Sequence, residues 1–153
     1  SEFYNIFEIE QRSFAKKIIA LGHDIGLHFD SHCYEILNQS DLERALIQEI
    51  SWLESWIGVK IEVFSYHNPD EKILKFDDIS YAGLINCYSH YFRNEVSYCS
   101  DSNGYWRYER LYDFVSKNNA KSLQVLTHPE WWQEEPMPPR SRIQSCVMDR
   151  ANS

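Results

Sequence analysis

Cysteine is sparse in this sequence: Cys33, Cys87, Cys99 and Cys146 lie far apart, and no Cys-x-x-Cys pair occurs. That spacing excludes a zinc ribbon, and four cysteines in 153 residues make no disulfide scaffold. Reduced thiols in a cytoplasmic protein are the expectation. Neither a signal peptide nor an apolar run of membrane length is visible. Basic residues are not in excess: 15 Lys and Arg against 23 Asp and Glu give a formal net charge of −8. Nucleic acid and anionic membrane both need a basic footprint, so neither is expected as the main partner. No internal repeat, linker or low-complexity tract interrupts the chain, and residues 1–153 read as one domain large enough to bury a core. An initiator Met is absent too. The chain opens at "SEFYNIFEIEQ", already apolar-rich, so an N-terminal part is expected to be missing.

What is present points to a folded protein: 43% hydrophobic and 15% aromatic residues, ten of them tyrosine. Tyrosine and tryptophan fill cores, and they also line pockets for sugar rings, so the excess favours a carbohydrate ligand. Residues 8–21 read as a helix with acids early and lysines late, closed by Gly22. "DIGLHF" (24–29) reads as a short buried strand. Ser40-Asp-Leu-Glu43 has the form of a capping box. Leu42, Leu46, Ile50, Leu53 and Ile57 follow at helical spacing, up to Gly58. Strands are expected at 60–67, 83–88, 95–100 and 122–128, with a helix over 108–117 and another from about 139. Alternating helices and strands imply an α/β fold of parallel strands with crossover helices. Polar residues then gather at the C-terminal strand ends: His28 to His32, His67-Asn68, Ser100-Asp101 and His128. That edge is where open parallel sheets and barrels alike build sites.

"GHDIGLHFDSH" (22–32) places three histidines and two aspartates in eleven positions. If a helical turn follows Phe29, His28 and His32 share one face, about 5–6 Å apart at Cβ, which suits two ligands of one zinc ion. A capped or surface histidine pair is the plain alternative. His23 precedes the strand and reads as structural, with Asp24 toward the opposite end from the site. His128 closes an apolar strand and is fixed by Pro129, a placement that suits proton transfer near neutral pH or a hydrogen-bonded core histidine. Asp101 in "SDSNGYW" can orient a histidine or a sugar, or form the turn ahead of Gly104. Trp106, Trp131 and Trp132 stack on a sugar or pack in the core. His90 and Cys33 are given no role.

Together these segments resemble the polysaccharide deacetylase superfamily of metal-dependent carbohydrate esterases, in particular a deacetylase-like branch encoded among surface-polysaccharide genes. Four stretches carry the resemblance over about residues 1–133: "GHDIGLHFDSH", "FSYHNP", "SDSNGYW" and "LQVLTHPEWW". It implies a distorted seven-stranded (β/α) barrel of TIM-barrel-like form, here incomplete at its N-terminus. It further implies a divalent metal, zinc by preference, held by His28 and His32. His128 becomes the acid that protonates the leaving amine, with Asp101 beside it. His67, Asn68, Trp106 and Trp131 become substrate-binding residues. The implied activity is hydrolysis of an N-acetyl group on an amino sugar or polysaccharide precursor. The alternative is a catalytically inactive homologue that binds carbohydrate or metal. The superfamily's first motif, an Asp-Asp at the end of its first strand, supplies a metal carboxylate and the general base, and this chain is expected to begin after it. Asn68 stands where the family has the arginine that orients that base, and Asp30 and Asp101 are the nearest replacement carboxylates. Sheet edges left open in such a barrel invite self-association.

Overall fold

The computed structural model describes residues 6–106, 109–117, 121–132, 134–135 and 137–152. The chain divides into two compact units, Ser1–Tyr91 and Phe92–Ser153, although no change of composition marks the junction.

In the first unit, helix α1 (Ile9–Ala20) ends at Leu21, and Gly22 follows with φ +87°. This helix buries none of its residues. Strand β1 (Leu27–Phe29) comes next, shorter than the expected 24–29. Helix α2 (Gln39–Ile57) is the main helix: Leu42 and Leu46 are fully buried, Ile57 is buried, and Ile50 and Leu53 pack beside them. It ends as the sequence indicates, on Gly58 at φ +82°, which only glycine adopts readily. Its start differs. Asn38, not Ser40, is the N-cap: its side chain accepts the N–H of Asp41, and Asp41 Oδ2 accepts the N–H of Leu37. Asn38 has the extended backbone a cap needs, whereas Ser40 already lies inside the helix.

Strand β2 (Val63–Tyr66) runs parallel to β1, in the register Leu27 with Phe64, His28 with Ser65 and Phe29 with Tyr66. Strands β3 (Ser80–Tyr81) and β4 (Leu84–Asn86) complete the sheet in the order β1-β2-β4-β3, with β4 parallel to β2 and β3 antiparallel to β4. Successive side chains of a strand face opposite sides. Leu27, Phe29, Phe64 and Tyr66 therefore go to the core with Leu42, Leu46 and Ile61, while His28 and Ser65 share the other face.

Helix α3 (His90–Glu95) spans the junction of the units. The second unit has strands β5 (Ser97–Ser100) and β6 (Leu123–Leu126), paired in parallel, with helix α4 (Leu111–Lys117) between them in sequence. Helix α5 (Pro139–Asn152) follows. The expected start of α4 at Tyr108, the opening residues 1–5 and Pro136 lie outside the described residues.

The expected seven-stranded barrel is not formed. Among the described residues there are six strands, divided into a mixed four-stranded sheet and a separate two-stranded one. A barrel closes only when each strand has a neighbour on both sides in a consistent stagger. Among the described residues β1 pairs with β2 alone, β3 ends the other edge antiparallel, and β5 and β6 pair only with each other.

Candidate functional site

Polar groups collect where the parallel strands end. In the first unit the β1–β2 register sets His28 directly beside Ser65, and His28 Nδ1 lies 2.9 Å from Ser65 Oγ. The backbone N–H of His67 donates to Phe29 O at 2.8 Å, extending the ladder one residue beyond β2. His67 is two residues past Ser65 and so falls on the same side as His28. The two rings meet edge to face, with centroids 5.1 Å apart at 84°, and His28 Nε2 lies 3.1 Å from His67 Nδ1. Asn68 then turns the chain with a left-handed φ of +40°, a conformation asparagine tolerates better than most residues, and Pro69 follows.

His32 has a different partner. It sits in a 3₁₀ turn, Ser31–Cys33, whose cap is Asp30. Asp30 Oδ1 accepts the backbone N–H of His32 and lies 3.0 Å from its Nδ1. His28 belongs to a strand and His32 to this turn, so the pair does not share the helical face that His-x-x-x-His spacing implies. Burial alone would raise the Asp30 carboxyl, but the hydrogen bonds from His32 and the charges of His67 and His32 outweigh it and hold it below the usual carboxylate range.

His28 also forms part of the wall of a cavity of about 610 Å³, with Glu49, Trp52, Trp56, Phe14 and Ile18. Glu49 is half-buried, and the Tyr34 hydroxyl donates to its Oε1 at 2.7 Å. Burial raises the Glu49 carboxyl, the charge of Asp30 adds to that, and the Tyr34 bond only partly opposes both. Sequence reasoning missed Glu49. The signal was available, since it lies three residues after Leu46 and four before Leu53, on the apolar stripe of α2.

In the second unit Asp101 follows β5, and its own N–H donates to Leu126 O across the strand pair. Asp101 is buried, and both its oxygens turn to His128: Oδ2 accepts the backbone N–H at 3.1 Å, and Oδ1 lies 2.7 Å from Nδ1. A carboxylate can only accept, so Nδ1 carries a proton. His128 is about one-third exposed, against 7% for the Asp101 side chain. Asp101 also shapes the turn, as its carbonyl accepts the N–H of Gly104. A Cβ on Gly104 would stand 2.9 Å from Pro139 Cβ and 3.3 Å from Trp131 Cε3. Arg142 Nη1 donates to Trp131 O, which ties α5 to the Pro129–Trp131 turn. Trp106 and Trp131 are half-buried and Trp132 is exposed, while Asn68 lies at the surface. His90 is bonded to Asp77 O and His23 is exposed. None of the four cysteines is in a disulfide, and burial raises the thiols of Cys87 and Cys99, which disfavours the nucleophilic thiolate form at those two.

A divalent metal finds partial accommodation. Two nitrogens on one tetrahedral ion at 2.0–2.1 Å are about 3.3 Å apart, close to the 3.1 Å between His28 Nε2 and His67 Nδ1. Among the described residues, no group of three or more His, Cys, Asp or Glu is gathered closely enough to hold an ion. The 3.1 Å separation is also an ordinary hydrogen-bond distance and does not by itself mark a metal site. Among the described residues, no helix is long and apolar enough to cross a membrane. No protein-family model, curated protein or solved structure matches this chain.

Proposed function

We propose that the chain is a metal-dependent hydrolase of the deacetylase type, removing the acetyl group from an N-acetylated amino sugar or polysaccharide. The observation that carries this reading is the Asp101–His128 pair, in which a buried carboxylate fixes the tautomer and orientation of a part-exposed imidazole. Amide hydrolysis must deliver a proton to the departing nitrogen. His128 Nε2, free of protein partners among the described hydrogen bonds, is placed to hold and give that proton. Asp101 keeps Nδ1 protonated throughout and balances the imidazolium that exists before the proton leaves. When bound, a divalent ion supplies Lewis acidity and lowers the pKa of water. In the first unit His28 would be a donor for it, with Nδ1 2.9 Å from Ser65 Oγ and Nε2 3.1 Å from His67 Nδ1. Within the first unit taken by itself, the cavity beside His28 supports a sugar ligand, since it offers Trp52 and Trp56 for stacking and Glu49 for hydroxyl groups.

The test is acetate release from N-acetylglucosamine oligomers by the full chain supplied with zinc. His128→Ala is expected to lower the rate by about 10²- to 10⁴-fold, the usual contribution of general acid–base catalysis. Asp101→Asn loses the fixed tautomer and is expected to fall by at least about tenfold. Wild-type acetate release equal to a zinc-only control would end the proposal. Binding without hydrolysis is the second reading, favoured by the count of only two convergent metal donors among the described residues. It predicts oligomer binding by calorimetry with no acetate formed.

A further inference from the structure

Glu49, Trp52 and Trp56 lie at positions i, i+3 and i+7 of α2, a spacing that puts all three on one side of the helix. All three line the cavity of about 610 Å³ in the first unit, together with Phe14 and Ile18 of α1. Small-molecule sites typically enclose roughly 300–1,000 Å³. We propose that this cavity is a site for a protonated primary amine carried on a ring with an apolar or C–H face, the class to which a de-N-acetylated amino sugar belongs. The choice of a sugar rests on the hydrolase reading above, whose product carries an ammonium where the acetamide was. The choice of a cation rests on the cavity alone.

Three observations support the cation. Glu49 is half-buried, yet among the described residues no Lys, Arg or His forms an ion pair with it, and Asp30 nearby is of the same sign. The Tyr34 hydroxyl donates to Oε1, and Oε2 has no hydrogen-bond partner among the described residues. Carboxylates withdrawn from water are ordinarily paired, so a cation is the group this one lacks. The second observation is the aromatic wall. Ring faces attract cations, tryptophan most strongly. Phe7 meets Trp56 edge to face, with centroids 6.3 Å apart at 86°, so the two rings form a corner of the cavity. The chain uses the same attraction internally, where Lys17 Nζ lies 5.3 Å from the centroid of the Phe14 ring. Third, Ile25 and Leu53 complete an apolar lining that suits the C–H face of a ring. An ammonium offers three donors to Glu49, whereas an acetamide offers one and brings an acceptor oxygen with it. Anionic sugars are disfavoured by Glu49 itself and by the net charge of −8.

The experiment is calorimetry of the full chain near neutral pH with three probes: glucosamine oligomers, N-acetylglucosamine oligomers of the same length, and cyclohexylamine. The indole N–H signals of Trp52 and Trp56 are followed by NMR in parallel. Glucosamine oligomers are expected to bind at least about tenfold more tightly than the acetylated ones, the worth of one charge-assisted hydrogen bond, and to shift both indole signals. Glu49→Gln keeps an acceptor for Tyr34 and is expected to remove most of that preference. Trp52→Ala, at a side chain 53% exposed, is expected to weaken amine binding about two- to fivefold. Equal or tighter binding of the acetylated oligomers, a preference that survives Glu49→Gln, or binding without indole shifts would overturn the proposal. Glutamate-dependent binding of cyclohexylamine but of neither oligomer would keep the amine site and remove the sugar. An amine preference in a chain that releases no acetate would keep the site and remove the hydrolase reading. Acetate release with no amine preference would do the reverse.

Discussion

Glu49 is held by opposing influences: half-burial and the Asp30 charge raise its carboxyl, while the Tyr34 hydroxyl favours the ionised form. The raised value fixes the sign of its pH dependence. Below the ordinary glutamate value of 4.5 the acid is protonated whether the chain is folded or not, and it imposes no charge on the fold. As pH climbs through the higher folded value, the native state must accept a half-buried carboxylate, and stability is lost. Glu49→Gln keeps an acceptor for Tyr34 and cannot ionise. Its melting temperature relative to wild type is expected to rise as pH climbs above the ordinary glutamate value of 4.5; a constant or narrowing difference in thermal scans would refute this. The same scale shows what spacing along the chain leaves undecided. Asp101 and His128, each noted as polar residues at strand ends, are joined by a bond across 27 positions. His28 meets His67, although its neighbour in sequence is His32.

At the scale of elements, α2 was the most legible part of the chain. Its stripe of Leu42, Leu46, Ile50, Leu53 and Ile57 is the face that packs on the sheet, because helical periodicity is local and burial only selects it. The sequence places the start of the helix two residues late, since Ser40-to-Glu43 and Asn38-to-Asp41 are both polar cap-and-acid pairs three residues apart. Only the backbone at Asn38 distinguishes them. Asn38→Ala is expected to destabilise the first unit by about 1 kcal/mol, Asn38→Asp by much less, and Ser40→Ala by under about 0.5 kcal/mol. Urea unfolding monitored by helix circular dichroism checks the order; a larger loss at Ser40 would restore the capping box first read from the sequence. Strands were located but overextended: residues 24–29 shrink to Leu27–Phe29, and 60–67 to Val63–Tyr66. Apolar alternation marks where a strand can lie, and its hydrogen-bonded length depends on the partner.

Across the whole molecule, buried hydrophobic residues are distributed unevenly. The core cluster, from Leu27 to Leu84, lies wholly in the first unit, whereas Cys99 is the sole fully buried hydrophobic residue among the described residues of the second. Two paired strands alone are marginal in water. Residues 1–91 expressed separately are thus expected to unfold cooperatively, and residues 92–153 are not. Near-ultraviolet circular dichroism across a denaturant series checks both; a cooperative transition in the shorter piece would show that its two strands and helices suffice. The motif order that resembles the deacetylase superfamily implied a closed ring of strands, and the observed sheets stop at four and two.

By itself the sequence determined the α/β alternation, the apolar face of α2, the glycine that ends it, and the collection of polar residues at strand ends. Those properties follow from local periodicity and backbone preference, which a chain carries wherever it folds. Tertiary structure alone decided which histidine faces which, that Asp101 holds His128, and that the strands form open sheets in two units. Such choices depend on register and pairing between distant segments, where a shift of one residue would send every side chain to the opposite face.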